Sequence, residues 1–164
     1  MRTNIKVLFI ALLLIWTSCD KENKLLTNEF TLDSSTHKGF QFENLDIIDF
    51  PNSNDIKPDF IVLAQTSDNG DVLSQFLSQP DLENRFILSE EFDNFESAQA
   101  YFDSYSTPEN KPFQQFALNV KPNQIWLIKT NTGEFGKILI ISTEFNNIDN
   151  KPFAKTTFKA DNLN

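Results

Sequence analysis

From Asn28 onward the apolar positions follow a mostly two-residue period. NEFTLD (28–33) alternates Phe30 and Leu32 with polar neighbours, the mark of a strand with one buried face. GFQFENL (39–45) continues the pattern with Phe40, Phe42 and Leu45. PNSNDIKP (51–58) has the composition of a loop. DFIVLAQ (59–65) then predicts a compact apolar strand, closed by Ser67-Asp68-Asn69-Gly70, where Asn-Gly is a strong turn signal.

The middle of the chain reads as more helical. VLSQFLSQ (72–79) predicts a short helix capped by Asp71 and stopped before Pro80. ENRFILSE (83–90) predicts a brief strand. Phe95, Ala98, Tyr101, Phe102 and Tyr105 fall at helical spacing, so 95–105 is the clearest helix, with Asn94 as its cap.

Further on, QIWLIKT, NTGE and FGKILIIST (124–143) predict a β-hairpin. Its strands are apolar on both faces, so one face should meet a helix or a second sheet. Trp126 alternates with Ile125 and Leu127 and faces the other side; a buried ring is expected there rather than an exposed sugar or peptide platform. A loop at 146–152 and a last strand, PFAKTTFKA (152–160), complete the chain. Asn110-Lys111-Pro112-Phe113 recurs as Asn150-Lys151-Pro152-Phe153, which a turn and a proline leading into a strand explain without duplication. The expected fold is α+β: a single domain over 28–164, predominantly antiparallel β-sheet, with one or two short helices.

The first 27 residues follow other rules. Arg2 and Lys6 precede an unbroken apolar run, Val7 to Trp16, and small Thr17-Ser18 stand before Cys19. That is the layout of a secretory signal peptide over 1–18. Ten apolar residues are too few for a membrane span, which needs about 20. The polar stretch to Thr27 makes 19–27 a tether. Small residues followed at once by the only cysteine of the chain resemble a bacterial lipobox, with Trp16 where the common pattern has leucine. The resemblance implies that Cys19 receives a diacylglyceryl group and becomes the N-terminus. Asp20-Lys21-Glu22 resembles the charged stretch that follows the cysteine in surface lipoproteins of Bacteroidetes-type bacteria. The expected location is therefore the cell envelope, lipid-anchored at the outer membrane, in the periplasm or at the surface.

Composition narrows the function classes. Apolar residues make up 40% and charged residues 23% of 164, values that argue for a folded domain rather than a disordered chain. Seventeen phenylalanines against two tyrosines predict a phenyl-rich core, because phenylalanine has no polar tip to satisfy. The net charge is −9, and without Arg2 and Lys6 twelve basic residues stand against 23 acidic ones, a net of −11. Such a field repels phosphate backbones, so no nucleic-acid partner is expected.

Candidate chemistry is sparse. His37 is the only histidine, in the turn-like SSTHKG, so no histidine pair exists to hold a metal; Asp33, Ser34 and Ser35 are its neighbours in sequence. Glu90, Glu91 and Asp93, or Asp46 and Asp49, are the carboxylates that a cleft would have to pair for acid–base work. Asp68-Asn69-Gly70-Asp71 has a calcium-loop flavour, but with Gly70 at the sixth position the first and twelfth are Gln65 and Phe76, neither a carboxylate. The few glycines form no phosphate-binding motif. No catalytic residue, metal or cofactor is expected. The expected role is non-enzymatic binding of a ligand or an envelope partner, with a small carboxylate hydrolase acting on glycans, or a structural subunit of a surface complex, as alternatives.

One more specific resemblance lies in the final strands. IWLIKTNTGEFGKILIIST (125–143), a polar loop and FAKTTFKA (153–160) are similar to the last strands of HmuY-type haem-scavenging lipoproteins, and THKGFQFENLDI (36–47) resembles their opening strands. The resemblance implies a mostly β, lipid-anchored domain. It does not carry over haem ligation: that family uses paired histidines or histidine with methionine, and here the only methionine is Met1.

Overall fold

The computed structural model describes residues 28–108 and 110–163; the expected signal peptide (1–18), Cys19 and the expected tether (19–27) fall outside the described residues. Among the described residues there are ten strands and one helix, an antiparallel, mostly β fold with a single short helix as expected. The principal sheet has five strands. They are β1 (Glu29–Asp33), β6 (Phe86–Glu91), β8 (Gln124–Lys129), β9 (Phe135–Ile148) and β10 (Lys151–Leu163), in the order β1-β10-β9-β8-β6. Two smaller sheets accompany it: β2 (Lys38–Gln41) with β3 (Asp46–Asp49), and β4 (Ile61–Thr66), β5 (Val72–Ser78) and β7 (Phe116–Ala117) in that order.

These elements make three layers, which explains strands that are apolar on both faces. One face of the principal sheet presents Trp126, Ile128, Ile138, Ile140, Phe158 and Ala160 to Phe40, Val62 and Leu77 from the smaller sheets and to Phe42 and Phe60, which flank β2 and β4. The other face carries helix α1 (Phe95–Ser104), whose Ala98 and Phe102 pack on Ile125 and Leu139. Trp126 is buried, its indole N–H donating to Gln124 Oε1 at 3.0 Å, so the ring belongs to the core. Five phenylalanines converge in this core: Phe40 meets the rings of Phe30, Phe42, Phe60 and Phe158 with centroids 4.7 to 5.4 Å apart. Edge-on contacts predominate, the arrangement that suits the ring quadrupole.

Helix α1 begins where the sequence places it. Asn94 holds an extended conformation and its side chain accepts from the Ser97 N–H at 2.9 Å. Its other end is closed by a buried cation: Lys137 Nζ on β9 donates to the carbonyls of Phe102 (2.6 Å) and Tyr105 (2.8 Å). Ammonium at a helix C-terminus satisfies the orphan carbonyls and complements the macrodipole.

Two expectations are corrected. VLSQFLSQ is not a helix; 72–78 form β5, paired with β4 through the tight turn at Ser67–Asp71. The carbonyl of Asp71, expected to be a helix cap, accepts from the Ser67 N–H at 2.8 Å and closes that turn. The loop at 146–152 is also absent: β9 runs to Ile148 and β10 starts at Lys151, joined by Asp149 and Asn150, both with positive φ. That is the backbone of a two-residue hairpin turn.

Candidate functional site

An open cleft of about 590 Å³ lies at the end of the principal sheet where the β8–β9 turn emerges. Four segments build it. They are the end of β2 with the turn after it (Gln41–Glu43), the 55–59 stretch, Asp81 with Arg85, and the β8–β9 turn from Thr130 to Glu134. Its walls are mainly polar, with Phe42 and Ile56 the apolar exceptions.

The cleft is held by a polar lattice centred on Asn131. The Asn131 backbone N–H donates to Asp59 Oδ1 at 2.6 Å, its Oδ1 accepts from Arg85 Nη1 at 2.8 Å, and its Nδ2 donates to the Lys57 carbonyl at 2.9 Å. Asp59 is buried, and its second oxygen accepts from the Phe42 N–H at 2.8 Å. Burial pushes the Asp59 carboxyl above its ordinary range, opposed by the amides of Phe42 and Asn131 and by the Arg85 guanidinium. Arg85 is itself nearly covered, and Glu83 Oε2 accepts from its Nε (3.0 Å) and Nη2 (2.7 Å). Lys57 and Asp81 form an exposed pair at 2.6 Å, and that hydrogen bond raises the lysine pKa. Asn52 shapes the neighbouring loop, donating to the carbonyls of Asp49 and Ile56 and accepting from the N–H groups of Asn54 and Ile56.

Chemically the arrangement favours recognition over proton transfer. Both oxygens of Asp59 are engaged by main-chain N–H groups, so the carboxylate is pinned. Glu43, Asp55, Asp81 and Glu134 add negative charge around the opening, against Lys57 and Arg85. A ligand here would meet carboxylates, carbonyls and the hydroxyls of Thr130 and Thr132.

The residues singled out from sequence lie elsewhere. His37 sits in an exposed turn at the rim of a smaller, more apolar pocket of about 220 Å³, beside Phe50 and Pro51. Its neighbours in sequence make other contacts: Asp33 Oδ1 accepts from the Ser35 hydroxyl at 2.6 Å, and Ser34 Oγ accepts from the Ala154 N–H at 3.0 Å. Asp46 and Asp49 are exposed at the two ends of β3, with Asp49 3.8 Å from Lys38. Glu90, Glu91 and Asp93 stand at the exposed end of β6, where Glu91 accepts from Gln124 Nε2 at 2.8 Å. Asp68–Asp71 turn between β4 and β5, and no group of three or more metal-ligating side chains occurs among the described residues. Cys19 lies outside them. The cleft residues Lys57, Asp59, Arg85 and Asn131 carried no sequence signal, because they join segments up to 74 positions apart.

No protein-family model, curated protein or solved structure matches the chain.

Proposed function

We propose that this chain is an envelope lipoprotein, anchored through a diacylglyceryl group on Cys19, whose folded domain binds a ligand or partner without transforming it. The observation that carries the binding half is the cleft: a concave site whose buried charges, Asp59 and Arg85, are fixed by hydrogen bonds at 2.6 to 2.8 Å. A preorganised polar surface recognises at low entropic cost. Its acidic opening suits a polar ligand rich in N–H and O–H donors. The anchor half rests on the leader, on the lipobox-like residues before Cys19 and on the HmuY-type resemblance of 36–47, 125–143 and 153–160.

A carboxylate hydrolase is the second reading, and one observation favours it: the raised pKa of Asp59 inside a cleft that also holds Glu43 and Glu134. Against it stands the engagement of both Asp59 oxygens.

The test is native against denaturing mass spectrometry of the full chain purified from its host in detergent. A mass excess that disappears on denaturation, and is lost in Asn131→Ala, supports binding in the cleft. A glycan cleaved by the wild type and spared by Asp59→Asn would replace this reading with the hydrolase. Cys19→Ser tests the anchor: it should leave the membrane fraction, and full retention there would refute acylation.

A further inference from the structure

The β9–β10 hairpin runs on past the rest of the sheet as a two-stranded ribbon, and its two edges differ. Ala154 turns both main-chain groups towards β1: its carbonyl accepts from the Ser34 N–H at 2.8 Å, and its own N–H donates to Ser34 Oγ at 3.0 Å. Main-chain groups in an antiparallel ladder alternate sides with each residue. Pro152, two positions earlier, therefore faces the same edge, and without an N–H it blocks further pairing there.

The opposite edge has no such protection. Phe145 pairs with Ala154, Asn147 with Pro152 and Thr143 with Thr156. Opposite members of a pair point outward together, so Thr143, Phe145 and Asn147 aim their N–H and C=O groups away from β10. β8 covers that side of β9 only to Leu139, followed by one bond from the Asn123 N–H to the Ile140 carbonyl at 2.9 Å. Among the described residues those three N–H groups and three carbonyls have no main-chain partner. The segment Ser142–Ile148 contains neither proline nor lysine, the usual guards of an edge strand.

We propose that this edge binds a second copy of the chain, strand against antiparallel strand, with Phe145 facing the same residue of its partner across a two-fold axis. In that register Thr143 and the partner's Asn147 exchange hydrogen bonds, and the two phenylalanines do likewise. Charge selects this occupant. The chain is strongly acidic, yet Ser142–Lys155 is neutral overall, with Glu144 and Asp149 against Lys151 and Lys155. Glu144 is already neutralised by Lys155 at 2.5 Å, and it meets the partner's Asn146 rather than another acid. The pairing also covers Phe145 and Ile148, 43% and 45% exposed in the single chain. A self-complementary patch of this kind closes at two subunits.

Paired residues that exchange hydrogen bonds sit about 5.5 Å apart at Cα, within disulfide reach. The full-length chain carrying Cys19→Ser and Phe145→Cys should therefore oxidise to a covalent dimer. With Thr132→Cys, at the exposed β8–β9 turn, in place of Phe145→Cys, no covalent dimer should form. In parallel, sedimentation of the Cys19→Ser chain should give the mass of two copies, reduced to one by Asn147→Pro with an unchanged circular dichroism spectrum. That proline removes only an N–H that points away from β10, so the ribbon itself is spared. Because Cys19 is replaced throughout, the outcome does not depend on acylation. A monomeric mass at every concentration, a disulfide yield at 145 no higher than at 132, or a foreign chain on this edge would each overturn the proposal.

Discussion

Gly136 on β9 lies flat against the Phe42 ring: a Cβ placed on it would sit 2.1 Å from Phe42 Cε1, deep inside contact distance. Phe42 has no room to retreat, because Phe40 and Phe60 stand behind it with centroids 5.0 and 6.2 Å away. Gly136→Ala should therefore destabilise by about 1–3 kcal/mol through overpacking. The converse change, Phe42→Ala, opens a void and should cost about 3–5 kcal/mol. Urea unfolding of both variants checks the pair. Phe42→Ala should also relieve Gly136→Ala in the double variant, because the two share one volume.

Much of this architecture is legible in the residue pattern, and the misses have definite causes. The helix at 95–104 and the β8–β9 hairpin were readable because periodicity, cap and turn residues agree. In VLSQFLSQ, Val72, Leu73, Phe76 and Leu77 satisfy a helical spacing, while the inward positions of the actual strand include Gln75. A glutamine reads as solvent-facing. Here its Nε2 donates to the Val120 carbonyl at 3.3 Å and its Oε1 accepts from Thr156 Oγ1 at 3.1 Å. Those partners come from distant segments, so tertiary hydrogen bonding overrode the local signal. The cleft was invisible for the same reason: Asn131 gains meaning only when the fold sets it beside Asp59 and Arg85.

Asp59 makes a pH-dependent prediction. Its carboxyl titrates higher in the fold than in the unfolded chain, where aspartate lies near 3.9. The folded state then binds the extra proton, so this group's contribution is fully present below the unfolded pKa and declines as pH rises through the folded one. Asp59→Asn removes that titration and leaves one of the two main-chain N–H groups without an acceptor. It should destabilise by about 1–3 kcal/mol. The deficit should be largest in acid and should shrink as pH rises above about 4. Denaturant midpoints measured across a pH series decide it; a gap that widens with pH would contradict the direction.

Lys137 makes a prediction about the helix. Its ammonium is buried, bonds two carbonyls at the end of α1, and lies 4.7 Å from the Phe102 ring centroid. Lys137→Met keeps most of the apolar stem and strips those carbonyls of their donor. A loss of about 1.5–3 kcal/mol is expected, the range for hydrogen bonds to a charged group. Amide exchange should rise first near Phe102–Tyr105, since the last turn loses its cap while Asn94 still holds the first. Uniform loss of protection across the principal sheet would show instead that the lysine supports the core as a whole.

The β9–β10 turn gives the last prediction, and it separates backbone strain from packing. Asp149 and Asn150 have φ of 49° and 60° and are exposed, so their side chains add little to the core. Asparagine tolerates this left-handed region better than most residues, and glycine enters it without steric cost. Asn150→Gly should therefore leave stability unchanged or raise it by a few tenths of a kcal/mol, whereas Asn150→Val should lower it by about 1–3 kcal/mol. Valine is also the better strand former, so a propensity argument predicts the opposite order. Thermal unfolding of the two variants side by side settles which term governs the tip of the ribbon.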